Sequence, residues 1–175
     1  MRGQKSLTIL ALLLLGIWLG AAIFFSAAVA PNVFSILRGA ALPDANALAG
    51  SIITRLLGTI NRGGFEIGVF LLVMSFFITH GQKKSVRVAE MISLAIMAIM
   101  TGIGHWVIAA RMSALRAAMQ LPIDQIAADD PRRAAFNGLH RYSVLTLGVT
   151  MIAALVAFMV MARGIAGTSK SEPPA

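Results

Sequence analysis

Residues 7–30 read LTILALLLLGIWLGAAIFFSAAVA, 24 positions without one charged side chain. At about 1.5 Å of rise per residue, a helix of this length reaches about 36 Å, more than the ~30 Å hydrocarbon core of a bilayer. The run therefore predicts a membrane-spanning helix. It closes on Ala28-Val29-Ala30-Pro31, which has the form of a leader cleavage site behind the basic residues Arg2 and Lys5. An apolar stretch this long exceeds the roughly 7–15 residues of a leader, and Pro31 just after the cut position disfavours cleavage. The expected element is a retained first span.

Composition agrees. The chain has 175 residues, 58% of them hydrophobic and 13% charged, with mean hydropathy +0.82. Soluble domains carry about 25% charged residues, so polar surface is too scarce here for a water-facing globule. With no cysteine, disulfides, thiolate metal sites and cysteine nucleophiles are excluded. The net charge of +8 comes from Lys and Arg beside the apolar runs, a placement that suits contact with anionic lipid. No basic stretch is interleaved with aromatics, so nucleic acid is not an expected partner.

Three further apolar runs follow: Gly64–Thr79, Met91–Ala110 and Val144–Ala162. With their flanks they predict spans over about 7–30, 63–80, 88–110 and 143–163, within one domain. The polar end, 164–175, reads as a disordered tail. Backbone groups in lipid must pair within their own segment, and the runs lack the alternation of barrel strands, so helices are expected. No internal repeat supports a transporter of inverted halves.

Between the first two runs, Leu48, Ile52, Leu56 and Ile60 recur every four residues, with Ser51, Thr54 and Arg55 on the other side. The expected fold is all-α: a polytopic four-helix transmembrane bundle with an amphipathic interfacial helix between the first two spans. Pro43-Asp44 would start that helix and Asn61-Arg62-Gly63-Gly64 would end it. The same pattern also allows one long helix over 45–79. In the longest loop, Met112–Gln120 can continue the third helix, Asp129-Asp130-Pro131 reads as a turn or cap, and Arg132–Arg141 begins the fourth helix. Lys and Arg are densest in the segments holding both termini and the 80–87 turn, which predicts cytoplasmic termini.

Trp18-Leu19-Gly20, Phe24-Phe25, Val29-Ala30-Pro31 and Phe34, then Ala49-Gly50, Arg111-Met112 and Phe136-x3-His140-x2-Ser143 together resemble the transmembrane protein 205 family. That family includes bacterial proteins catalogued as domain of unknown function 4149. A further Asn would be expected after Ser143, where this chain has Leu145, Thr146 and Leu147. The resemblance implies a four-helix membrane bundle and no established chemistry.

Glu66 is the foremost polar candidate, because a carboxylate within a membrane helix is costly. It can pair with Arg62 one turn earlier or with Arg111, or serve as a proton or cation site. In an antiparallel bundle His105 and His140 fall at the same membrane level as Glu66. With Arg62, Arg111 and Arg141 they could converge at the outer mouth. Two facing histidines could hold haem or copper; His80 lies at the opposite end. The methionines fit packing better than a Cu(I) site. Gly16-x3-Gly20 and Ala98-x3-Gly102 offer small faces for helix packing or homodimerisation. Trp106 and Tyr142 fit an interfacial belt, and Trp18 faces lipid or packs.

No Ser-His-Asp order, phosphate loop or H-E-x-x-H is present. The expected function is that of a non-enzymatic structural or accessory membrane component without a cofactor. Membrane lipids, further copies or other membrane subunits would be its partners. The alternatives are a haem- or copper-binding bundle through His105 and His140 and a small transporter or proton pathway through Glu66.

Overall fold

The computed structural model describes residues 2–40, 42, 44–78, 84–119 and 121–169. Four rods dominate. The first is α1 (Arg2–Phe24), a π-helical turn (Phe25–Val29) and α2 (Ala30–Gly39) in unbroken succession. The second is α3 (Ala45–Ile78). The third is α4 (Lys84–Gly102), a second π-helical segment (Ile103–Ile108) and α5 (Ala109–Met119). A 3-10 turn (Ile123–Gln125) leads to the fourth, α6 (Pro131–Ser169). All four are long and apolar enough to cross a membrane, over Lys5–Gly39, Ala45–Phe77, Lys84–Met119 and Pro131–Gly164. At about 1.5 Å per residue each exceeds a ~30 Å hydrocarbon core by roughly 20 Å. The bundle therefore carries a helical extension at the end where residues 31–57, 111–126 and 131–143 gather.

The separate interfacial helix is a correction. Residues 45–60 and the second span form one continuous helix, α3. Two adjacent glycines in a helix interior weaken it by about 1 kcal/mol each, so Asn61-Arg62-Gly63-Gly64 reads as a break. Tertiary contacts override that preference. A Cβ on Gly64 would lie 2.8 Å from both Trp18 and Thr101, so the glycine is what lets three rods meet. The Trp18 indole N–H donates to the Ile60 carbonyl at 2.9 Å beside it. At the start of α3 the Leu48 N–H donates to the Asp44 carbonyl at 2.9 Å, the first helical bond. Pro43, the expected start signal, lies outside the described residues.

The core runs along one stripe of the first rod, through Ala11, Leu15, Trp18, Ala22 and Phe25, against Leu71, Leu94, Met97, Ala154 and Ala157. This stripe is offset from the expected Gly16–Gly20 face. A Cβ on Gly16 would lie 3.6 Å from Phe158, an ordinary contact, whereas nothing lies within 4 Å of a Cβ on Gly20. The closest backbone approach falls elsewhere: a Cβ on Gly68 would lie 3.2 Å from the backbone nitrogen of Ala98. Gly102, of the second expected face, packs beside Phe65 and Trp106. Trp18 is buried, while Trp106 and Tyr142 are exposed.

The end of the long loop is capped as the sequence predicts. Asp130 accepts the Arg132 backbone N–H at 2.7 Å, with Pro131 opening the helix. Its carbonyl accepts from Ala134. Such a cap satisfies one of the free N–H groups of a helix start, and proline suits the first position. The polar tail begins later than residue 164, because α6 continues to Ser169; residues 170–175 lie outside the described residues, as does His80.

Candidate functional site

The polar groups singled out in the sequence do not gather at one point. Arg62 Nε donates to Glu66 Oε1 at 2.9 Å, one helical turn apart, with the two side chains 69% and 59% exposed. Arg111 is also exposed and outside this pair. His140 lines a cavity that His105 does not reach. His105 is half-buried, its ring edge-on to Trp106 at 4.9 Å, and its Nδ1 is buried without a hydrogen-bond partner. Among the described residues no three or more His, Asp or Glu side chains cluster as metal ligands. Pro31 is exposed in the first turn of α2.

The level of the Arg62–Glu66 pair is set by its neighbours. Gly64 meets Trp18, midway along the first uncharged run, and Thr101, midway along the third. Gly68 meets Ala98. Glu66 lies two residues from each glycine, so at about 100° per residue it points away from the face they share. The ion pair is thus on the outside of the bundle, level with the middle of its apolar runs.

The cavity has a volume of about 620 Å³ and lies mostly in the helical extension, between α2, α3, α5 and the start of α6, with Asn61 and Gly104 at its deeper end. Its apolar wall includes Phe34, Ile53, Leu57, Met112, Met119 and Phe136. Its polar lining comprises Arg38, Asn46, Ser51, Thr54, Asn61, Arg116, Asn137, His140 and Ser143. Among the described lining residues there is no carboxylate.

Arg116 enters from α5 and spans the cavity. Its Nη1 donates to Thr54 Oγ1 at 2.9 Å, its Nη2 approaches the Gly50 carbonyl at 3.4 Å, and its guanidinium carbon lies 5.1 Å from the Phe136 ring centre. Gly50 makes this reach possible, since a Cβ there would come within 3.3 Å of Nη2. Arg38 Nε donates to Asn46 Oδ1 at 2.8 Å, and its guanidinium lies over Phe34. Both arginines are thus held by neutral acceptors and ring faces. The ion pairs among the described residues are Arg62–Glu66 and Arg132–Asp130.

Asn61 and Ser143 complete the site. They are 5% and 6% exposed and line the cavity. Their side chains make no hydrogen bond to the described residues and, unlike His105 Nδ1, their polar atoms are not sealed from the cavity space. Gly104 makes room for Asn61: a Cβ there would lie 2.9 Å from its Nδ2. The sequence reading passed over Asn61, which sits in an apparent helix break, and Arg116, which looks like solvated flank charge. The available signal was the four-residue spacing of Ile53, Leu57 and Asn61, which puts the amide on the buried side of α3.

No curated protein and no solved structure matches the chain. The family described as domain of unknown function DUF4149 matches residues 13–120, which include α2, α3 and the arginine-bearing helix α5 of the cavity. With more than half of its length matched, the chain belongs to the DUF4149 family.

Proposed function

We propose that this protein is a non-enzymatic accessory component of the membrane that works as an assembly of its own copies. One observation carries the reading: the exposed Arg62–Glu66 pair, level with the middle of the apolar runs. A charged residue at the centre of a spanning helix costs about 2.5–3.5 kcal/mol against lipid, and such residues ordinarily face protein or water. The pair is self-complementary. About a two-fold axis, the arginine of each copy can serve the glutamate of the other, as an isologous contact requires. In this reading both termini are cytoplasmic, as the Lys and Arg density suggests. The quoted motifs from Trp18 to Ser143 support kinship with the transmembrane protein 205 family.

The absence of cysteine makes the test clean. Thr59→Cys and Val73→Cys lie on the Glu66 side of α3, and Ile152→Cys lies on an exposed face of α6. Oxidation in native membranes is expected to cross-link the first two into dimers and leave the third monomeric. Equal cross-linking of all three, or none, would overturn the assembly. An externally active reporter fused after Ser169 should stay silent; activity there would reverse the orientation.

A further inference from the structure

The cavity reads as a binding site independent of that assembly. It gathers donors without matching acceptors. Arg116 lies within it, held among the described residues by a hydroxyl, a backbone carbonyl and an aromatic face. The Asn61 amide and Ser143 hydroxyl line the cavity, hydrogen-bond to none of the described residues and open onto its free space. Arg38 adds a second positive charge, and no carboxylate lines the described wall. Two guanidinium groups and free donors facing a cavity with no carboxylate in its described wall favour an occupant rich in acceptors and negatively charged. The planar guanidinium fork suits phosphate, which it can contact through two N–H groups at once.

Two further observations fix the kind of molecule. Polar lining is confined to part of the wall; Phe34, Ile53, Leu57 and Met112 form an apolar part. Much of the lining lies just beyond the uncharged runs, with Phe34 and Arg38 past Ala30, Met112 and Arg116 past Ala110, and Phe136 and His140 before Val144, while Gly104 and Asn61 reach deeper. The end of the cavity that holds Arg38 and Arg116 thus lies at the depth of lipid head groups, and its other end reaches toward the acyl chains. A volume of about 620 Å³ falls within the ~300–1,000 Å³ of sites for drug-sized ligands, enough for a phosphorylated head and its glycerol.

We propose that the cavity bounded by Arg116, Asn61 and Ser143 binds a phosphate group carried on a membrane lipid. Arg116, beside Thr54, holds the phosphate oxygens, and the wall of Phe34, Ile53 and Leu57 receives the glycerol and first methylenes, with Asn61 farther along the same wall. Gly50 and Gly104 leave room for the Arg116 and Asn61 side chains.

The test uses the full-length protein in detergent and native mass spectrometry. Three probes are compared: phosphatidic acid, diacylglycerol of the same chains, and inorganic phosphate. Phosphatidic acid is expected to bind at least tenfold more tightly than diacylglycerol. Arg116→Gln should remove most of that preference, whereas Arg111→Gln, outside the cavity, should keep it. Asn61→Asp, which puts a negative charge in the wall, should weaken phosphatidic acid in the same way. It provides the answer if Arg116→Gln does not fold. Equal binding of the two lipids, or a preference that survives both cavity substitutions, would overturn the proposal. Inorganic phosphate binding alone, with the same dependence on Arg116, would overturn the lipid as its carrier.

Discussion

The indole nitrogen of Trp18 donates to the carbonyl of Ile60 at 2.9 Å, across 42 positions of sequence. The bond joins the first rod to the second where Asn61-Arg62-Gly63-Gly64 would otherwise loosen the helix. Its acceptor is a main-chain group, so any side chain at position 60 leaves it in place.

Replacing the donor is therefore informative. Trp18→Phe keeps an aromatic ring and removes the N–H. A net hydrogen bond contributes about 0.5–1.5 kcal/mol, and the smaller ring also leaves a void. We expect lower thermal stability in detergent by at least about 1 kcal/mol. Ile60→Val should have a smaller effect.

Gly64 gives a sharper contrast. In an open helix position, Gly→Ala stabilises by up to about 1 kcal/mol. At Gly64 the added methyl meets Trp18 and Thr101 at 2.8 Å, and overpacking costs about 1–3 kcal/mol. Gly64→Ala should destabilise, whereas Gly58→Ala, with nothing within 4 Å, should be neutral or stabilising. Thermal denaturation of the two variants side by side checks the signs.

The α6 cap makes an acid-sensitive contact. Hydrogen bonds from Arg132 hold the Asp130 carboxyl below the usual carboxylate range. The unfolded chain then binds the proton more readily, so the contact's contribution is complete above about pH 4, the ordinary Asp value. It is lost as pH falls through the lowered native value. Proteolysis of the 121–130 loop should rise over that acid range with an acid-active protease. Asp130→Ala should raise cleavage already at neutral pH and remove the pH dependence of the rise.

Arg62–Glu66 should matter little to the isolated chain. It is an exposed pair one turn apart, the kind that contributes about 0.3–0.5 kcal/mol. Glu66→Gln is expected to shift monomer stability in detergent by no more than that. A loss of several kcal/mol would mean that the pair supports the fold itself.

Much of the architecture is legible in the sequence because lipid imposes one simple rule on long uncharged runs. The four rods follow from it, while the Asp130-Pro131 cap follows from helix-start chemistry. The continuity of α3 does not. Gly63-Gly64 signals a break locally, and only the approach of Trp18 and Thr101 reverses that. The candidate site was legible in kind but not in place. Arg62, Glu66 and Arg111 stand out as charges near apolar runs, yet they lie on outer faces. Arg116 and Asn61 enter the cavity because Gly50 and Gly104 on facing helices lack side chains, a relation no local pattern carries. Glu90 escaped notice for the same reason: it precedes the run that begins at Met91, yet it is only 2% exposed, with Ser75 beside it.

The π-helical turns at Phe25–Val29 and Ile103–Ile108 act like a gearing between the two ends of the bundle. A wide turn takes up one residue more than an α-helical one, and a single residue corresponds to about 100° of rotation. The membrane half and the cavity half of these rods therefore keep separate angular settings. A one-residue deletion within 25–29 would leave the stripe from Ala11 to Ala22 in place while swinging Phe34 and Arg38 around the axis. Inheritance of the lipid-facing half and tuning of the cavity can thus proceed apart, with a single codon as the adjusting screw.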